Sequence, residues 1–124
     1  MKNLNHFKRK KVLITGHNGF KGSWLTIWLN LLGAKVVGIS LPEKSKDNHF
    51  NLVKKNLKVK NYYFDIRNKN KIQKVILKEK PDFFFHLAAQ SLVSKSILNP
   101  LFNWETNVIG LFNVLESLNK LKKL

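Results

Sequence analysis

The chain has no cysteine, seven acidic residues against 23 basic ones, and only Arg9 and Arg67 as arginines. The missing cysteine removes disulfides, thiolate metal sites and cysteine nucleophiles together, and it fits a reducing compartment. No apolar run approaches the roughly 20 residues that a membrane-spanning helix needs. The basic start, Met1 to Lys11, leads only into Val12 to Ile14 before Thr15 and Gly16, too short for a signal-peptide core. There is no internal repeat and no low-complexity linker. These absences lead us to expect a cytoplasmic protein with no metal centre and no membrane partner.

What is present is ordinary for a folded protein: 44% hydrophobic and 24% charged residues in 124, about one domain by length, yet short for a complete nucleotide-processing enzyme. The net charge of +16 would suggest nucleic acid if it were clustered. Here it is diffuse, carried by lysine beside abundant asparagine, and it lacks the arginines of a bidentate phosphate reader. A solvated surface with no nucleic-acid partner is the expectation.

Strand and helix signals alternate along the chain. Lys11 to Thr15 is a short apolar run stopped by Gly16, the pattern of a buried parallel strand. From Phe20 to Leu32, Trp24, Leu25, Trp28, Leu29 and Leu32 recur at helical spacing, with Gly33 as a stop. Lys35 to Ile39 reads as a second strand, and 41–56 as loop or weak helix. Val59 to Phe64 reads as a third strand, Asn68 to Lys78 as a helix, and Phe83 to Ala89 as a fourth strand apolar on both faces. Asn99 and Pro100 form an N-cap and first turn, and Trp104, Val108, Leu111, Phe112, Leu115 and Leu118 continue one apolar face of a helix that reaches Leu124. The expected fold is α/β: a Rossmann-type parallel sheet, N-terminal part only, with about four strands and flanking helices.

Gly16-His17-Asn18-Gly19-Phe20-Lys21-Gly22 falls between the first strand and the first helix, where a dinucleotide pyrophosphate lies on a helix N-terminus. Gly16 would allow the tight turn, Gly19 the approach of backbone to phosphate, and Gly22 close packing of helix on sheet. Asn18 and Phe20 join them as candidate cofactor contacts. An acidic residue about twenty positions further on ordinarily binds the adenosine ribose of NAD. Glu43 is the nearest candidate, and Lys44 and Lys46 beside it leave NADP open.

Thr15 to Gly22 resembles the TGxxGFxG motif of extended short-chain dehydrogenases/reductases, the NAD-dependent epimerases and dehydratases. The run GHNGFKGSWL from Gly16 to Leu25 is similar to the glycine loop of the CDP-glucose 4,6-dehydratases in particular. Asp65-Ile66-Arg67 resembles the family's DxR, His86 to Gln90 its HLAAQ, and Thr106 to Gly110, leading into Asn113 to Glu116, its TNVxG helix. The resemblance implies NAD as cofactor, with Asp65 accepting from the adenine amino group and Ile66 against the ring. It implies that Leu87, Ala88 and Ala89 line the cofactor and that Asn107 is a structural asparagine near the active site. Gln90, Ser91 and Lys95 would belong to a substrate-side loop. In that loop Ser94 and Ile97 stand where the family would place arginine and tyrosine.

The resemblance also implies a tyrosine with a lysine four residues on, and this chain has no such pair. Tyr62 and Tyr63 are followed at that spacing by Ile66 and Arg67. We therefore expect residues 1–124 to form an NAD(P)-binding domain incomplete at its C-terminus, with no catalytic residue of its own. The complete enzyme would be a lyase giving a 4-keto-6-deoxy sugar nucleotide, and a second polypeptide could supply the remainder. A catalytically inert NAD(P)- or partner-binding module, or another nucleotide-sugar epimerase or dehydratase, are the alternatives. In a 3-2-1-4-5 strand order the next neighbour of Phe83 to Ala89 would lie beyond Leu124, leaving that strand at an edge.

Overall fold

The computed structural model describes residues 4–122, which fall into two compact units. The expected helical end at Lys123 and Leu124 lies outside the described residues. The first unit runs to Phe64 and includes Pro81–Leu87, and the second comprises Asp65–Lys80 and the chain from Ala88 onward. Among the described residues no helix is long and apolar enough to cross a membrane.

The first unit is a parallel sheet with its connecting helices. Strands β1 (Lys11–Thr15), β2 (Lys35–Ser40), β3 (Val59–Tyr63) and β4 (Phe83–His86) lie in the order β3-β2-β1-β4. Val12 sits opposite Val36 on one side and Phe83 on the other, which fixes β1 at the centre. Its residues Val12, Leu13 and Ile14 are fully buried, as the unbroken apolar run requires of a strand covered on both faces. Helix α1 (Phe20–Leu31) returns the chain to β2 and closes with Gly33 at φ +76, the left-handed C-terminal stop that favours glycine. Val12, Ile14, Leu29 and Val36 form the core, with Phe7, Leu25, Ala34, Val59 and Phe85 packed around it. A short helix α2 (His49–Val53), capped by the Asn48 side chain on Asn51 N–H at 2.9 Å, precedes β3.

The fourth strand ends at His86 rather than Ala89. Leu87 N–H still donates to Thr15 carbonyl at 3.0 Å, but the pairing stops there. Its residues are only partly buried, Phe83 being 37% exposed, because β1 is the one strand beside it among the described residues.

The second unit is helical. α3 (Lys69–Glu79) starts at Asn68, whose side chain accepts from Lys71 N–H at 3.0 Å, and it buries Ile72, Val75 and Ile76. The stretch expected to be a substrate-side loop, with Gln90, Ser91 and Lys95, holds a further helix, α4 (Val93–Leu98). Asn99 caps α5 (Pro100–Trp104), accepting from Phe102 N–H at 3.1 Å as its sequence position predicts. The single helix expected from there is interrupted: Glu105–Ile109 widens into a π-helix before α6 (Gly110–Lys122). α6 packs on α3 through Lys69 to Glu116 at 2.8 Å and Lys120 to Gln73 at 2.9 Å.

The apolar face expected for this helix points the other way. Trp104, Val108, Leu111, Phe112 and Leu115 are exposed, and the buried positions of α6 are Gly110, Asn113, Val114 and Ser117. A Cβ on Gly110 would stand 2.6 Å from Ile66 Cδ1, while Asn113 Nδ2 donates to the carbonyls of Ile66 and Arg67 at 3.2 and 3.1 Å. Small and hydrogen-bonding residues face inward because the Ile66 side chain presses on Gly110 and the carbonyls of Ile66 and Arg67 are taken by Asn113.

Candidate functional site

The turn after β1 is shaped by close approach of backbone to backbone. Gly16 takes φ +75, and its N–H donates to Ile39 carbonyl at 2.7 Å. Gly19, exposed and extended, heads α1 without any side-chain cap, and its N–H donates to Gly16 carbonyl at 3.1 Å. A Cβ on Gly22 would collide with that same carbonyl oxygen and lie 2.8 Å from His17 Cα. The third glycine therefore closes the helix onto the turn itself, whereas its sequence position suggested packing onto the sheet. Asn18 Nδ2 donates to Leu41 carbonyl at 2.7 Å, tying the turn to the end of β2, and Phe20 is 74% exposed. The result is a helix N-terminus without a side-chain cap, at a turn whose His17 side chain is buried and whose Asn18 side chain is tied to Leu41, the arrangement that receives an anionic group on backbone N–H donors.

Two other predicted residues lie in the same unit. Glu43 follows β2, and its Oε1 accepts from the Tyr63 hydroxyl at 3.2 Å. Burial, and then the Glu43 charge, push that hydroxyl above its ordinary pKa. Leu87 N–H donates to both oxygens of Thr15, at 3.0 Å to the carbonyl and 3.2 Å to Oγ1. His86, given no role from sequence, has Nδ1 2.7 Å from Thr15 Oγ1, and burial holds its pKa down.

The remaining candidates belong to the second unit. Asp65 accepts from Arg67 backbone N–H at 2.9 Å and from Arg67 Nε and Nη2 at 3.0 and 2.9 Å. Burial would raise its pKa, but these bonds more than offset that and hold the carboxyl below its usual range. Arg67 continues to Glu105 at 2.9 Å and lies over the Phe102 ring at 4.7 Å. Ile66 is buried against Gly110; Ala88 is half-buried and Ala89 exposed. Asn107, in the π-helix, pins one residue from both sides: its Oδ1 accepts from Gln90 N–H at 2.8 Å and its Nδ2 donates to Gln90 carbonyl at 2.9 Å. Ser91 and Lys95 are exposed.

Sequence reasoning overlooked His17. The ring is fully buried, its Nε2 is 2.7 Å from Asn61 Oδ1, and it meets Phe50 edge-on at 5.0 Å between centroids. Gly38 lies beneath it, with no room for a Cβ against the ring. The readable signal was Gly38 itself, because a glycine inside a buried strand often marks close approach of another group.

Residues 13–124 match the sequence profile described as GDP-mannose 4,6 dehydratase. The chain belongs to that family. CDP-glucose 4,6-dehydratase of Salmonella typhimurium is 39% identical over 116 residues, covering 94% of this chain and 32% of that protein. Among solved structures, an epimerase from Methanothermobacter thermautotrophicus superposes with a TM-score of 0.81 at 30% identity, over 95% of this chain and 34% of that one. UDP-glucose 4-epimerase of Thermus thermophilus, solved in complex with NAD, gives a TM-score of 0.78 at 28% identity over 90% of this chain and 34% of that one. The chain thus spans about a third of the length of these similar proteins. The Rossmann-type sheet expected from the alternating strands is the fold they share with it.

Proposed function

We propose that this chain is the NAD-binding part of a nucleotide-sugar 4,6-dehydratase or epimerase, with CDP-glucose 4,6-dehydratase as the specific reading. The observation that carries the proposal is the Gly16–Gly22 turn, where a left-handed glycine and a helix start without a side-chain cap leave backbone N–H groups for a pyrophosphate. Gly16, Asn18, Gly19, Phe20 and Gly22 hold the pyrophosphate side of NAD, and Glu43 takes the ribose hydroxyls. NADP stays within reach of the same reading, since Lys44 and Lys46 are exposed beside Glu43. By family resemblance, Asp65 and Ile66 serve the adenine, and Leu87, Ala88 and Ala89 line the cofactor. Asn107 holds Gln90 in place, and Gln90, Ser91 and Lys95 face the sugar nucleotide.

When bound, the nicotinamide cofactor supplies hydride transfer. The chain's own residues bind and orient it. General acid–base chemistry needs a titratable group within reach of the reacting hydroxyl, and no tyrosine–lysine pair at the family spacing occurs in these 124 residues. That chemistry belongs to the rest of a longer protein or to a second polypeptide, in the cytoplasm. The likeness to the Salmonella CDP-glucose 4,6-dehydratase over nearly the whole chain favours the dehydratase over the epimerase.

Calorimetric titration of NAD into the purified chain tests the proposal. A Cβ at position 19 would lie 3.3 Å from Gly16 carbonyl oxygen, a contact that a small shift relieves. Gly19→Val should therefore keep the fold, read by circular dichroism, and lose NAD binding by at least about tenfold, since its side chain stands where the pyrophosphate meets the helix start. Equal affinity in both proteins would overturn the assignment.

A further inference from the structure

His17 lies inside the turn that the proposed function uses, yet nothing in that function uses its ring. The ring is 0% exposed. Asn61 turns its Oδ1 toward Nε2, an orientation supported by the weaker Nδ2 contact to Val59 carbonyl at 3.4 Å. Nε2 is therefore the protonated nitrogen and Nδ1 carries a lone pair. Nδ1 is buried and makes no well-formed hydrogen bond, although the Ile39 carbonyl stands beside the ring. Of the backbone carbonyls beside the ring, that of Ile39 already holds the Gly16 N–H at 2.7 Å. The ring rests on Gly38, meets Phe50 at 5.0 Å and Tyr63 at 6.3 Å, and shares its surroundings with one carboxylate, Glu43. The groups facing it are thus a neutral amide from β3, a phenylalanine from α2, a tyrosine hydroxyl that stays protonated, and Glu43 from the loop after β2.

We infer that His17 is the positioning residue of the glycine turn: its uncharged ring, seated on Gly38 and held by Asn61, keeps Gly16–Gly22 in the shape that receives a pyrophosphate, and protonation of the ring releases that shape. This inference rests on the NAD-binding reading. The turn is joined to β2 by the Gly16 hydrogen bond, by the His17 ring over Gly38 and by Asn18 on Leu41 carbonyl. A second proton on the imidazole would be buried on Nδ1, with the Ile39 carbonyl beside the ring already accepting from Gly16. A buried charge without a dedicated acceptor is costly, so the ring moves, and the turn moves with it.

The sign follows from burial, which lowers the His17 pKa below 6.5; the Asn61 hydrogen bond, the Ile39 carbonyl and Glu43 only partly counter it. The folded turn favours the neutral ring, so its hold is complete above pH 6.5 and is lost as pH falls through the depressed pKa. NAD affinity of the 124-residue chain, measured by calorimetry between pH 8 and pH 5, should fall in the acid range by up to about tenfold per pH unit, the limit for one linked proton. Circular dichroism at each pH should show the fold intact over the same range. His17→Gln keeps a neutral donor toward Asn61 but fills the space less well, so it should bind NAD more weakly and without that acid loss.

An identical acid loss in His17→Gln would overturn the inference, as would loss of binding only where the whole chain unfolds. If the variant does not fold, nuclear magnetic resonance of the wild-type chain decides. The Gly16 and Gly19 amide shifts should follow the titration curve of the His17 ring nitrogens, and amides indifferent to that curve would overturn it. Absence of NAD binding at pH 8 would overturn the NAD-binding reading instead, and the amide titration would still decide whether His17 holds the turn.

Discussion

Helices α1 and α6 lie in different units and obey the same rule. Each carries large apolar residues at helical spacing, and each turns most of them outward: Trp24 and Trp28 are 54% and 55% exposed in α1, Phe112 and Leu115 57% and 56% in α6. Their buried faces are Gly22, Ser23, Thr26 and Leu29 in α1, and Gly110, Asn113, Val114 and Ser117 in α6. In both, a glycine in the first turn lets another segment press against the helix, and hydroxyl or amide side chains return hydrogen bonds to nearby carbonyls. Ser23 Oγ donates to Phe20 carbonyl and Thr26 Oγ1 to Gly22 carbonyl, just as Ser117 Oγ donates to Asn113 carbonyl. Apolar periodicity identifies a helix, but the face that packs is set by where a neighbouring segment must come close.

The two helices differ in what their glycines meet, and the difference predicts unequal costs. At Gly22 the obstacle is the Gly16 carbonyl and His17 Cα, backbone that cannot turn aside. Gly22→Ala should cost about 3 kcal/mol or more, at or beyond the upper end for overpacked sites, read as a lowered urea midpoint. At Gly110 the obstacle is the end of the Ile66 side chain, which can adopt another rotamer. Gly110→Ala should cost about 1–2 kcal/mol, and combining it with Ile66→Val should cost less than the two singly. Equal losses at the two glycines would remove the distinction between backbone and side-chain obstacles. The smallest effect is expected on the outward faces: Trp28→Gln should change stability by no more than about 0.5 kcal/mol. A large loss there would mean that the exposed stripe of α1 is held by something in solution.

The sequence made the sheet legible because its strands are unbroken apolar runs closed by glycine or polar residues, and β1 at 11–15 is found where those signals put it. The glycine turn was legible for a similar reason, since positive φ and missing Cβ space are written directly as glycine. What could not be read was any feature produced by contacts between distant residues. Nothing local to Glu105–Ile109 encodes its wider turn, in which Asn107 reaches back to both backbone groups of Gln90. Phe83 to Ala89 looked continuous because seven residues in a row suit a strand, yet pairing with β1 ends at His86. His17 passed unnoticed because a histidine between two glycines carries no pattern. Its meaning lies in Gly38 and Asn61, which only folding brings to it.

The seating of His17 on Gly38 restricts the order in which this chain can change over evolutionary time. A methyl group at position 38 collides with the imidazole, so any larger residue there must be preceded by a smaller one at 17. A lineage that replaces the histidine first removes the obstacle before the methyl group arrives, whereas the reverse order passes through a clash with a fully buried ring. Position 17 can therefore change while Gly38 stays, but position 38 can change only after it, so the history of this pair should run in one direction.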